Sequence, residues 1–358
     1  MKEFSCGTKI VMGSNAVSAI EKYRFQRLMV VSDPFFAKNG WAERVGKLAK
    51  SYEIFDKVAP DPSVTLVAEG TARMQAFQPD GILALGGGSA MDCAKAMAYF
   101  SGLAIPLIAV PTTSGSGSEV TDFAILTHNG VKHPLVDDKL RPAMAILEDG
   151  LLNEMPPSLI ADTGFDVLAH ALEAWVGKHA TPFSDALALH AFRNVYALLP
   201  DSFAGEKGVR LDVHVASTMA GLAFTHAGLG LCHALAHSLG GQFHVPHGRL
   251  NAILLPTVIA CNAQGAGVRY ADLARLAGLG GSSDAMALRN LKNGLIRLRH
   301  HLQLPSSLRE AGVDLVQLQA KSEEIVAATL KDPCCETNPI PVTAEIVQQV
   351  LREVAGRG

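Results

Sequence analysis

Short apolar runs alternate with longer helical patterns through the first 150 residues. The runs are 28–32 (LMVVS), 81–85 (GILAL), 105–110 (IPLIAV) and 143–147 (AMAIL). Strands of this kind separated by helices pair in parallel, so the pattern predicts a doubly wound α/β sheet. After Pro156-Pro157 the pattern changes. Segments 158–176, 185–199, 210–224 and 229–239 carry a 3.6-residue period rich in Ala, Leu and His, which predicts an all-helical second domain. The expected division is therefore 1–157 (α/β) and 158–358 (all-α). Ser158 is placed to cap the first of these helices, and Gly240-Gly241 to stop the one that carries His233 and His237. No internal repeat stands out.

A length of 358 residues is about twice the usual domain and agrees with two domains. Hydrophobic residues at 48% and charged residues at 18% exclude a disordered or low-complexity chain. The formal net charge is −3 with Lys and Arg scattered, so neither nucleic acid nor an anionic membrane is an expected partner. The apolar stretch 81–111 is broken by Asp92 and Lys95 and the stretch 250–261 is too short, so no membrane segment is expected. The N-terminus lacks the apolar region of a secretory leader, and six cysteines without a CxxC spacing fit a reducing cytoplasm.

Gly86-Gly87-Gly88-Ser89 follows one apolar run and opens a helical stretch. Glycines let backbone approach a pyrophosphate, and a helix N-terminus adds free N–H groups; a tight strand-to-helix turn would use the same residues. A second loop, PTTSGSGSE at 111–119, follows another run and concentrates hydroxyls and glycines. Asp33 ends the run 28–32, where a carboxylate can accept from a ribose 2′-OH, although Asp33-Pro34 also suits an Asx turn. Here the acid precedes the glycine loop by about fifty residues, whereas the ordinary dinucleotide fingerprint places it about twenty after. The strand order is therefore expected to differ from the standard Rossmann one.

In the helical half, Asp166 and His170 stand at i, i+4, as do His233 and His237, so each pair shares a helix face. Six of the thirteen histidines lie between His214 and His247. Burying several imidazoles among Ala and Leu is costly unless something satisfies them, and a divalent cation such as Zn²⁺ or Fe²⁺ would. Spacing leaves open which four of Asp166, His170, His233, His237, His244 and His247 are ligands. HExxH is absent, which disfavours a zincin protease.

GGGSAMDCAKA, PTTSGSGSEVT, TGFDVLAHALEAW and GLCHALAHSLGGQFHVPHG together resemble the iron-activated, or group III, alcohol dehydrogenases, essentially from end to end. Within that family the chain is most similar to the propanol dehydrogenases of bacterial microcompartments for propanediol, ethanolamine or choline use. The resemblance implies metal ligands at Asp166, His170, His233 and His247, with His237 as a further imidazole over the substrate and a catalytic proton relay. It implies Fe²⁺, with Zn²⁺ as the other option, and NAD(H) as cofactor. Pyrophosphate falls on Gly87, Gly88 and Ser89 with Asp92 just inside the helix; Thr112, Thr113 and Ser116 line the cofactor side; Lys132 approaches the nicotinamide ribose; Asp33 favours NAD(H) over NADP(H). Phe123, Phe224 and Cys334 are implied near the substrate. Ser116 stands where the family more often has Thr, and Glu148-Asp149-Gly150 where it usually reads Asp-Pro, which bears on the adenine-side contact near Leu151.

The implied activity is NADH-linked reduction of short-chain aldehydes to primary alcohols by a homo-oligomer in the cytoplasm. A place inside a microcompartment follows from the same resemblance, with its shell and a CoA-acylating aldehyde dehydrogenase as partners and NAD⁺ recycling as the role. The alternatives are a NAD- and metal-holding lyase of dehydroquinate synthase type, or another group III reductase acting on lactaldehyde or maleylacetate. The lyase needs basic residues for phosphate and carboxylate, and the stretch 166–247 offers few, chiefly Arg193 and Arg210.

Overall fold

The computed structural model describes residues 3–128 and 131–356. The chain divides into two compact units, Ser5–Met155 and Pro156–Gly358, the latter joined by Met1–Phe4. Phe4 belongs to the helical unit: its ring stacks on Phe183 and packs at a tilt against His226, at centroid distances of 5.3 and 4.3 Å.

The first unit holds six parallel strands: β1 (Lys9–Gly13), β2 (Arg27–Ser32), β3 (Ser51–Phe55), β4 (Gly81–Gly86), β5 (Leu107–Pro111) and β8 (Met144–Glu148), in the order β1-β8-β5-β4-β2-β3. A separate antiparallel hairpin joins β6 (Phe123–His128) to β7 (Val131–Val136). The helices are α1 (Pro34–Lys38), α2 (Trp41–Gly46), α3 (Val64–Phe77) and α4 (Gly88–Ser101). Both sheet faces are covered. Leu28 and Val30 of β2 pack with Ile20, Phe36 and Val45, while Met29 and Val31 pack with Val67, Met74 and Met97 on the other face. Burial on both sides is why these strands read as continuous apolar runs. Edge strands β1 and β3 are half exposed and show no such run, which is why sequence periodicity misses them. The run expected from Ile105 becomes a strand only at Leu107, after Pro106.

Connectivity moves outward from β2 to β3, then returns to β4 on the other side of β2 and continues to β5. The topological switch therefore lies between β2 and β4. Their carboxyl ends carry Asp33 and the Gly86–Gly88 turn, and a switch point is where open α/β sheets leave a crevice for a ligand. This explains the reversed sequence order of acid and glycines.

The second unit is helical: α5 (Pro157–Val176), α6 (Pro182–Ala204), α7 (Arg210–Ala227), α8 (Leu231–Phe243), α9 (His247–Leu276), α10 (Asp284–His301), α11 (Leu315–Ala320), α12 (Ser322–Lys331), α13 (Cys334–Thr337) and α14 (Ala344–Val354). Two expected boundaries differ. Ser158 does not cap α5; Pro157 occupies the first turn, where a fixed φ and missing N–H are tolerated, and Pro156 precedes it. Gly240-Gly241 does not stop α8, which runs to Phe243 and ends at His244 in the left-handed region with φ 55°. Among the described residues no single helix is long and apolar enough to cross a membrane.

Candidate active site

α5 is buried along most of its length, yet it carries Asp162, Asp166, His170 and Glu173 into the interior at spacings of three and four. These side chains share one helix face. α8 contributes the buried His233 and, one turn on, the half-buried His237. His247 opens α9, which Gly248 lets approach α5: a Cβ there would lie 1.9 Å from the Asp162 carbonyl oxygen.

The result is a convergence on a single oxygen, Asp166 Oδ1. His233 Nε2 and His247 Nε2 each lie 3.6 Å from it, and His170 Nε2 lies 4.0 Å away. Donor atoms of Asp166, His233 and His247 are all within 4.8 Å of one another, and His170 stacks on His233 at 4.5 Å. With metal–ligand bonds of about 2.1 Å, tetrahedral ligand atoms stand about 3.4 Å apart. The donor set and its spacing therefore fit a transition-metal ion. His244, an open candidate by spacing, is exposed at the end of α8 and stays outside the cluster.

The electrostatics agree. Burial opposes charge on His233, but Glu173 and Asp166 outweigh it and raise its pKa to about 9. Burial and the neighbouring imidazoles push His247 well below the ordinary histidine value. Burial resists the Asp166 carboxylate, yet His170, His247 and His233 hold its pKa far below the usual range. An ionised carboxylate held among imidazoles in the interior is a charge that a bound cation would offset.

Glu173 and Asn251 complete the shell, and sequence reading missed both. Glu173 Oε2 bonds His233 Nδ1 at 2.6 Å and accepts from Gly230 N–H at 2.9 Å, while Oε1 accepts from Cys232 N–H at 2.7 Å. That fixes the ring with Nε2 toward Asp166 and anchors the start of α8. Asn251 donates to Asp166 Oδ1 at 2.7 Å. The i, i+3 step from His170 to Glu173 was a readable signal for the first; Asn251 is a long-range partner with none.

His237 Nδ1 is paired with Asp332 Oδ2 at 2.8 Å, and its ring stacks on His247 at 5.2 Å. Cys334 donates its backbone N–H to Asp332 Oδ1, and Phe224 packs its ring 4.5 Å from His170. Burial raises the Cys334 thiol well above its usual pKa, so this sulfur stays protonated and apolar in character.

In the other unit, α4 begins at the glycine turn that follows β4 and has no side-chain cap on its first N–H groups. A Cβ on Gly87 would lie 3.2 Å from Thr113 Oγ1, and one on Gly88 the same distance from the Ser116 β-carbon. The hydroxyl-rich loop thus lies directly on the glycine turn, a cradle that side chains would fill. Asp33 caps α1 with Oδ1, accepting from Phe35 and Phe36 N–H, while Oδ2 lies 3.4 Å from a notional Gly86 Cβ. The Asx reading and a ribose contact are thus compatible on one carboxylate. Lys132 pairs with Asp61 at 2.7 Å, and Asp92 accepts from Ser118 Oγ–H at 3.0 Å. Phe123 opens β6 in this unit, and Leu151 is fully buried in the core. Glu148, in the unusual triplet, accepts from Asn15 and Val17 N–H and braces the chain after β1.

Two family models match the chain: iron-containing alcohol dehydrogenase over residues 7–149, and the C-terminal region of the Fe-containing alcohol dehydrogenase family over residues 160–355. The chain is 40% identical to the 1-propanol dehydrogenase PduQ of Salmonella typhimurium, covering 99% of this chain and all of that one. Among solved structures, an iron-containing alcohol dehydrogenase from Thermococcus thioreducens superposes with a TM-score of 0.93 at 32% identity, over 98% of this chain and 99% of that one. A sulfoacetaldehyde reductase from Bifidobacterium kashiwanohense, solved in complex with NAD⁺, superposes at 0.88 with 26% identity over the whole of both chains.

Proposed function

This chain belongs to the iron-containing alcohol dehydrogenase family, and we propose that it acts chiefly as an NADH-linked reductase of short, unfunctionalised aldehydes. It is an alcohol dehydrogenase whose cofactors are NAD(H) and iron. The observation that carries the reading is the convergence of three imidazole Nε2 atoms on Asp166 Oδ1.

Asp166, His170, His233 and His247 would hold the iron. Bound there, iron supplies a Lewis acid that polarises a carbonyl and stabilises negative charge developing on its oxygen. Glu173 keeps the His233 ring oriented and Asn251 keeps Asp166 in place. Asp332 holds His237 through Nδ1, which leaves Nε2 to pass a proton to the product oxygen. Phe224 and the neutral thiol of Cys334 make an apolar surround that suits two- to four-carbon aldehydes better than polyols or dicarboxylates. In the N-terminal unit, the Gly87, Gly88 and Ser89 turn binds pyrophosphate, Thr112, Thr113, Ser116, Asp92 and Lys132 serve the cofactor side, and Asp33 accepts from the ribose 2′-OH.

The cellular role we favour is NAD⁺ regeneration for a CoA-acylating aldehyde dehydrogenase, in the cytoplasm and within a shell that retains the cofactor. Likeness to a 1-propanol dehydrogenase supports it. The test is steady-state NADH oxidation by anaerobically iron-loaded enzyme across an aldehyde panel, with metal content measured in the same sample. Iron-dependent turnover of propanal is expected. Loaded enzyme that ignores every two- to four-carbon aldehyde refutes the substrate assignment, and a diffuse distribution of tagged protein under inducing conditions refutes the enclosed role.

A further inference from the structure

Lys95 lies two turns into α4 with 1% of its surface exposed. Its ammonium donates to Ser118 Oγ at 3.1 Å, Thr121 Oγ1 at 2.8 Å, the Thr121 carbonyl at 3.0 Å and the Phe123 carbonyl at 2.8 Å. The four oxygens belong to the end of the hydroxyl-rich loop and to the chain that leaves it. Ser118 in turn donates to Asp92, one turn before Lys95 on the same helix. The contacts close a ring that runs from helix to loop and back.

Burying an ammonium is expensive, and an apolar residue could fill the same buried space. What an apolar residue could not do is grip the loop. Thr113 and Ser116 sit directly against the glycine turn, where a Cβ on Gly87 or Gly88 would lie 3.2 Å from their side chains, so the placement of the loop sets the shape of the cradle. Burial draws Lys95 down to about 8, with Asp92 and Glu119 opposing, so the amine is still mostly charged at neutral pH.

We propose that Lys95 is a positioning residue for the dinucleotide: its ammonium locks the 112–121 loop onto the phosphate-facing end of α4, so that both surfaces meet the cofactor already assembled. The proposal rests on the dinucleotide reading above and assigns no contact between Lys95 and the cofactor itself.

The experiment measures equilibrium NADH binding by fluorescence on the full iron-loaded enzyme, its Lys95→Met variant and its Ser118→Ala variant. Losing the ammonium should raise the NADH Kd by about tenfold or more, and losing one link of the ring by about threefold. KM for aldehyde should stay within about twofold, because the loop does not hold the carbonyl. Amide hydrogen exchange across 112–121 should accelerate in Lys95→Met without NADH and slow again at saturation, a readout that loss of bulk stability would not confine to one loop. Unchanged NADH affinity in Lys95→Met, with only a lower Tm, overturns the proposal. Should that variant fail to fold, Ser118→Ala decides, and an unchanged Kd there overturns it equally. Wild-type enzyme that binds no NADH would overturn the dinucleotide reading first, and this proposal with it.

Discussion

Replacing Glu173 by Gln tests how far the proposed metal centre depends on a residue outside the proposed ligand set. The carboxylate is 2% exposed and takes three bonds, two on Oε2 from His233 and Gly230 and one on Oε1 from Cys232. Glutamine keeps the volume. With its oxygen on the Oε2 side it retains two of the three bonds, but its NH₂ then faces the Cys232 N–H donor to donor, and the charge behind His233 is gone. One buried donor left unsatisfied costs about 1–3 kcal/mol, and loss of such a carboxylate partner typically weakens a metal site about 10–100-fold. Glu173→Ala leaves two backbone donors and the imidazole without partners, so a further loss of several kcal/mol in fold stability is expected. The assay is anaerobic iron release to a competing chelator, run beside NADH binding and thermal unfolding. Glu173→Gln should release iron about 10–100-fold more readily while NADH affinity is preserved. Unchanged iron affinity, with His233 still required for activity, would refute the claim that Glu173 orients that ring for coordination.

Removing a proposed ligand outright, His233→Ala or His247→Ala, should abolish iron content and reductase activity together and leave NADH binding nearly intact, because the two sets of residues belong to separate compact units; equal loss of NADH affinity would contradict this. Asp33→Ser keeps a hydroxyl acceptor for the Phe35 and Phe36 amides but removes the charge, so the NADH/NADPH ratio of kcat/KM should narrow at unchanged Tm. An unchanged ratio would leave Asp33 as a cap alone. Burial opposes the Asp332 carboxylate, but His237 holds its pKa down to about 2, below the unfolded value, so its stabilisation is complete above about pH 4 and is lost as pH falls toward 2. Urea unfolding should therefore find Asp332→Asn about 2 kcal/mol less stable than wild type at pH 7, with the gap closing on acidification, and a gap that does not change with pH would sink this account.

Much of this architecture is written locally. Continuous apolar runs at β2, β4, β5 and β8 announce strands buried on both faces, and the change of period after Pro156-Pro157 announces helices. The i, i+4 pairs by themselves place Asp166 with His170 and His233 with His237 on common helix faces. Element ends were less legible, because they are set by neighbours. Gly240 reads as a stop but serves packing, its notional Cβ 3.5 Å from Leu250, and the real stop is His244.

Which imidazoles converge was decided only by tertiary packing. Periodicity assigns a face to each helix but not the angle at which three helices cross, and that angle depends on close approaches such as Gly248 against the Asp162 carbonyl. It brought His247 to Asp166, left His244 in solvent and set His237 against Asp332, which lies 95 positions away. Asn251, Asp332 and the role of Lys95 escaped notice for the same reason. A lone carboxylate, amide or ammonium acquires its meaning from a partner far along the chain, and hydrophobic periodicity, the strongest signal a sequence carries, says nothing about polar pairs once both are buried.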